Sequence, residues 1–255
     1  KQFTFKNNYE MKTTAKLIIT LLFLAGATAA NAQFKVGVRL GGNLSNIITD
    51  DEEFKEKKNE KIGFHGGITA EYMFSPSIGI QTAILYSEKG TKLLIDEDEG
   101  NIEDGRGYIK FYGVPRLGYL EMPLNAVYKL PLGAASSMTF SAGPYIAYGV
   151  TGTIKVCHDL TFSGNIATET KDQLREFYDE YTKNMEKVIN EEIILFKEDG
   201  YLTPFDFGAG LAIGCELHGF VAKIGMDMGL KNIFREKQDL SMKNTNIYLS
   251  LGYKF

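Results

Sequence analysis

The chain contains no tryptophan, three histidines, two cysteines and six prolines in 255 residues. Each shortage excludes something. So few histidines, with no cysteine cluster, leave no ligand set for a transition metal such as zinc. No nucleophile-elbow motif or paired catalytic signature occurs, so the usual hydrolase constellations are missing from the sequence. Positive charge is scattered and slightly outweighed, with 28 Lys and Arg against 32 Asp and Glu. The formal net charge is -4, and no basic patch points to a nucleic-acid partner. After the first thirty residues no apolar run is long enough for a transmembrane helix. Cys157 and Cys215 fall at opposite ends of neighbouring predicted strands, too far apart to bridge, so two free thiols are expected.

Glycine and alternation are abundant instead. Met11 opens a stretch with Lys12 and Lys16, an apolar run from Leu17 to about Ala27, and small residues Ala30 and Ala32. This layout predicts a secretory signal peptide over 11–32, cleaved after Ala32. Residues 1–10 precede it and are read as a non-native extension. Residues 33–255 then form one domain. The last segment alternates strictly, with Ile247, Leu249, Leu251, Tyr253 and Phe255 in one phase and Asn246, Tyr248, Ser250, Gly252 and Lys254 in the other, as strand side chains do. The same pattern recurs at 34–43, 62–74, 78–89, 119–130, 138–155, 205–217 and 220–231. Eight strands allow an up-and-down sheet to close with both ends at one rim. Short connections at 75–77, 131–137 and 218–219 alternate with long ones at 44–61, 90–118, 156–204 and 232–244. That asymmetry is the mark of outer-membrane barrels, whose short turns face the periplasm.

Taking the apolar phase as lipid-facing places Phe34, Phe74, Tyr128, Phe140, Phe220, Tyr253 and Phe255 in one aromatic girdle and Phe64, Tyr86, Tyr148 and Phe205 in the other. The opposite phase is rich in glycine, which relieves crowding inside a curved sheet. It carries Lys35, Arg39, Lys129, Lys223 and Lys254 against Glu71, Glu121, Asp206, Glu216 and Asp227. Matched signs predict an ion-pair network filling the lumen, not an open pore. The fold expected is an all-β, eight-stranded antiparallel transmembrane barrel with a helical insertion in the third extracellular loop. Inverting the faces would make an exported soluble barrel around an apolar ligand, and alternation alone does not choose.

The segments "FKVGVRLGGNLSN", "YLEMPLNAVYKL" and "LSLGYKF" together resemble the PorT-like outer-membrane β-barrel family of Bacteroidota. The resemblance covers the strands and leaves the longest loops unmatched. It implies residence among the lipids of a Gram-negative outer membrane, and recognition of the C-terminal Phe255 by the barrel-insertion machinery. The family's namesake is tied to type IX secretion. Its motifs are structural, so no catalytic residue, cofactor or metal ligand follows from it.

Function is therefore expected in the loops, which a rigid wall displays. Within 156–204, Leu174, Phe177, Tyr178, Tyr181, Met185 and Val188 recur at spacings of three and four and predict an amphipathic helix at about 171–196, with Thr170 and Gln173 at capping-box spacing. Its stripe either docks an envelope or secretion partner or packs on the barrel rim. The acidic run Asp96–Gly105 lacks the ligand spacing of an EF-hand and reads as a solvated loop. His65 falls on the lumen face, and a lipid hydrolase built on it is the enzymatic alternative.

Overall fold

The computed structural model describes residues 33–102, 104–192, 195–196, 200–235 and 241–255. The expected extension and signal peptide lie outside them. β1 (Phe34–Thr49) is followed by a short helix α1 (Glu52–Lys57) and the two-residue β2 (Lys58–Asn59). Then come β3 (Lys61–Met73), β4 (Ile78–Gly90), β5 (Lys92–Ile102), β6 (Gly105–Gly133) and β7 (Ser136–Gly164). Helix α2 (Thr168–Glu192) precedes β8 (Phe205–Leu217), β9 (Phe220–Gly229) and β10 (Met242–Lys254). Eight of these strands pair in a ring: β1–β3–β4–β6–β7–β8–β9–β10, and β10 returns to β1. The seam runs antiparallel from Gly37 opposite Lys254 to Thr49 opposite Met242. β2 and β5 stand outside the ring, on the outer part of β6.

Turn chemistry sets the inner end. His218 and Gly219 both take positive φ, 49° and 87°, the twist-matched geometry of a two-residue hairpin. Ala134–Ala135 join β6 to β7, so the expected 131–137 turn is shorter than the sequence suggested. The long connections gather at the other end, and three of them need correction: β1 runs on to Thr49 and is followed by α1 and β2, so little of 44–61 is loop. β6 and β7 each run for 29 residues, because alternation continues through "YIKFY" and "VCHDLTF" beyond the glycines and charges that broke the pattern. The segments 90–118 and 156–204 are thus largely strand and helix. The acidic run is strand β5 and its turn into β6, not an unstructured loop. The helix spans Thr168–Glu192 in place of 171–196, and Thr170 lies inside its first turn.

Which phase faces outward is decided by exposure. Leu40, Ile68, Ile84, Leu124, Ile146, Leu211, Ile224 and Leu249 are exposed on the outer wall. Rings meet at the inner rim, with Phe220–Tyr253 centroids at 4.9 Å and Tyr253–Phe255 at 5.2 Å. Phe64–Tyr86, at 5.5 Å, lies toward the outer rim. A continuous apolar belt between aromatic girdles is stable only against hydrocarbon. The inverted, soluble arrangement is therefore excluded: these side chains do not converge on a cavity. Inside, ring and glycine are matched. Tyr248 lies opposite Gly225 in register, and an added Cβ at Gly225 would come within 2.5 Å of the Tyr248 ring.

Leu249→Arg on the apolar wall should cost about 2–4 kcal/mol, the range for arginine facing lipid near the midplane. Urea unfolding of the chain in lipid vesicles measures it, and an unchanged midpoint would contradict the outward placement.

Candidate functional site

Alternation points one row of side chains from every strand into the lumen, and at the inner end those rows bring five charges together. Lys129 Nζ lies 2.6 Å from Glu71 Oε1 and 2.8 Å from Glu216 Oε2. Lys254 Nζ lies 2.7 Å from Glu71 Oε2 and 2.8 Å from the same Glu216 oxygen. Lys35 reaches Glu216 Oε1 at 3.2 Å. Their parent strands lie far apart in sequence, so only closure of the ring assembles the cluster. It floors a vestibule of about 740 Å³ that opens past Phe74, Pro76 and Phe255.

The other five predicted lumen charges do not join this network. Lys223 donates to the side-chain carbonyl of Gln81. Arg39 sits 5.5 Å over the Tyr248 ring. Asp227 and Arg39 line one small cavity together with Glu121 and Tyr248. Glu121 pairs with Lys89 at 2.6 Å, a close ion contact whose angles fall outside hydrogen-bond range. Asp206 accepts from Asn244 at 2.9 Å and Tyr145 at 3.4 Å. Sequence reasoning missed Lys89, although its parity with Gln81 and Leu85 on β4 puts it inside. The lumen is thus a layered set of contacts and not a single network, because residues on one strand facing inward are two positions apart and meet different neighbours.

The outer mouth is sealed by apolar side chains. Ile47, Leu117, Tyr119, Tyr145, Leu195, Leu202, Ile233 and Met242 form one buried cluster. Phe196 packs on Tyr119 with centroids 5.4 Å apart. A Cβ at Gly149 would lie 2.6 Å from the Phe196 ring, so the bare backbone there admits the plug. Sequence reasoning missed this plug as well, since it joins strand-end residues such as Ile47, Tyr119 and Met242 to Leu195, Leu202 and Ile233 from separate connections that show no periodicity.

His65 occupies a geometry worth testing for chemistry. Its Nδ1 is 2.7 Å from Asn43 Oδ1 and its Nε2 is 2.8 Å from Ser250 Oγ. Nucleophile, base and orienting amide stand in the order a hydrolase needs. Position argues against that use. Asn43, His65 and Ser250 are 3%, 4% and 2% exposed, and Ser250 fronts a cavity of only about 20 Å³. No ester substrate fits there. Asn43 also donates to the Phe64 and Glu88 carbonyls and the Ser87 hydroxyl, as a structural cross-brace does.

Above the ring, β6 and β7 continue with β5 on the outer side of β6, and β7 has a free edge since β8 pairs with it only as far as Tyr148. The open edge of β7 is covered by α2. Asn190 bonds both the amide and the carbonyl of Ile154, at 2.8 and 2.6 Å, and Glu186 accepts from Val156 N at 3.3 Å. The open edge of β5 protects itself: Asp96 and Asp98 side chains accept from the amides of Glu97 and Glu99. Charged, self-bonded edges resist pairing with other chains.

The predicted helix stripe is divided by this docking. Tyr178 packs on Phe111 and His158, with centroids at 5.9 Å in both cases, and Thr182 is buried. Leu174 and Met185 are half-buried. Phe177, Tyr181 and Val188 remain exposed, and the first two rings stack nearly parallel, 11° apart. Buried Thr182 and edge-capping Asn190 set the contact direction, and the apolar stripe lies to one side of it. Helix and strand also shield Cys157, and burial raises its thiol pKa above the ordinary value.

A family model described as outer membrane protein beta-barrel domain matches residues 28–235. No curated protein matches the sequence significantly. Among solved structures, Ail, the attachment invasion locus protein of Yersinia pestis, is 11% identical with a TM-score of 0.36, over 88% of this chain and 99% of that one. Ail bound to the heparin analogue sucrose octasulfate is 13% identical with a TM-score of 0.33, over the same shares. Neisserial surface protein A is 11% identical with a TM-score of 0.37, over 87% of this chain and 97% of that one.

Two outcomes follow for the lumen. Glu216→Leu takes from Lys35 its one carboxylate partner among the described residues and leaves Lys129 and Lys254 to share Glu71, and should cost about 3–5 kcal/mol, read by urea unfolding in vesicles. A fluorophosphonate probe should leave the folded chain unlabelled, and labelling lost in Ser250→Ala would show that the buried serine is an accessible nucleophile after all.

Proposed function

The chain belongs to the outer membrane protein beta-barrel domain family, and we propose that it is a non-enzymatic barrel whose outer module, β5–β6–β7 with α2, binds a protein partner of the envelope. The observation that carries this is the exposed half of the α2 stripe. Phe177 and Val188 stay in water, and Tyr181 remains exposed with one edge of its ring against Phe111 at 5.8 Å, although the helix already has a sheet to pack on. Three large apolar residues on one side of a braced helix match the anchors of helix-mediated recognition. The finer resemblance belongs to the same reading: a PorT-like barrel of Bacteroidota, exported by a signal peptide cleaved after Ala32, with its partner in secretion or envelope integrity. Phe255, exposed at the inner rim beside Tyr253, is then the signal read by the insertion machinery. The sealed position of Ser250 and His65 speaks against the hydrolase alternative.

The test uses a photo-crosslinking amino acid at the exposed position 184 of α2 in intact cells. A discrete adduct is expected, and the triple change of Phe177, Tyr181 and Val188 to Ser should abolish it while insertion persists. Equal adduct yield in the triple variant, with the same crosslinker retained on α2, would remove the helix from the interface.

A further inference from the structure

We infer that the lumen holds one small monatomic anion of the halide class beside Lys223. The inner cluster sets three lysines, 35, 129 and 254, against two carboxylates, Glu71 and Glu216. Lys223 adds a fourth cation in the adjoining layer. It is 5% exposed, and its side-chain partner is the neutral amide of Gln81. Among the described residues it forms no ion pair. Arg39 lies at the same level, and its buried Nε has no hydrogen-bond partner among the described residues.

Between them lies the cavity of about 20 Å³. It is lined by Arg39, Thr69, Gln81, Lys223, Ser250 and Lys254 from the lumen phase and by Val38, Leu251 and Tyr253 from the outer phase, and no carboxylate borders it. Among the described residues two cationic groups without an ion pair, Lys223 and Arg39, and the hydroxyls of Thr69 and Ser250 thus face a space with no carboxylate at its wall, while Lys254 at its edge is already held by Glu71 and Glu216. A buried cation without counter-charge is costly, and a water molecule cannot neutralise it. Room for about one water-sized particle, which needs roughly 10–15 Å³, suits a halide and excludes sulfate, phosphate and any lipid headgroup. Lys254 borders both this cavity and the inner vestibule. The site is independent of the outer module and of any partner there.

The experiment compares thermal unfolding of the full chain in micelles at constant ionic strength, in gluconate and with chloride or bromide replacing it. Halide should raise the midpoint by roughly 3–6 °C at ten times its Kd, and Lys223→Met should abolish the rise. If that variant does not fold, Thr69→Val provides the second comparison, with a weakened response expected. Crystals grown with bromide should show an anomalous peak between Lys223 Nζ and Arg39. Equal midpoints in gluconate and halide, or a halide response that survives in Lys223→Met, would overturn the assignment, as would a bromide peak elsewhere.

Discussion

Backbone pairing in hydrocarbon is the constraint from which the rest follows. A strand facing lipid cannot leave an amide or carbonyl unanswered, since no water is there to take it. The seam between β1 and β10 removes the last open edge within the apolar belt. Once the ring is closed, its two faces are fixed by parity, so every second residue is committed to lipid or lumen. The length asymmetry of the connections follows too, because short turns suffice where nothing is displayed.

Where closure ends, the same rule returns in another form. β6 and β7 leave the ring together with β5 added beside β6, and the outer edges of β7 and β5 expose backbone that water could satisfy but that another chain could also capture. Two different solutions appear. β7 is braced by Asn190 and Glu186 from α2, whereas Asp96 and Asp98 occupy the amides of β5. The acidic run is thereby explained without a ligand. The helix is explained in part: its polar side chains hold the sheet edge, and its aromatic Tyr178 packs on Phe111.

The barrel was legible in the sequence because period-two alternation is local, and eight such segments with unequal connections admit few topologies. Leu249 and Ser250 declare their faces by parity alone. What escaped reading was everything that depends on which strands meet at one height. Glu121 was visible as a lumen charge, but its contact with Lys89 needs the register of β4 against β6. The Asn43–His65–Ser250 chain spans three strands and almost the whole sequence. The apolar plug joins Leu195 to Ile233 across loops without periodicity. The long hairpin escaped for a different reason: above the membrane its strands need no apolar face, so their alternation weakens just where they extend.

The outer module therefore separates two demands that one helix face could have met together. Burying the whole stripe against β7 would gain roughly 1.5–3 kcal/mol for each large apolar residue covered. The helix instead turns Thr182 and Asn190 toward the sheet and leaves Phe177, Tyr181 and Val188 outside. Edge capping explains the orientation: only Asn190 and Glu186 can answer the amides of Ile154 and Val156, and unanswered amides invite pairing with other chains. The apolar half is then displaced from the contact by the geometry of the helix itself, since residues at 177, 181 and 188 lie on a different line from 182, 186 and 190. A stripe that touches the sheet only through Tyr181 on Phe111, and otherwise faces water above a rigid wall, is surface left over for recognition.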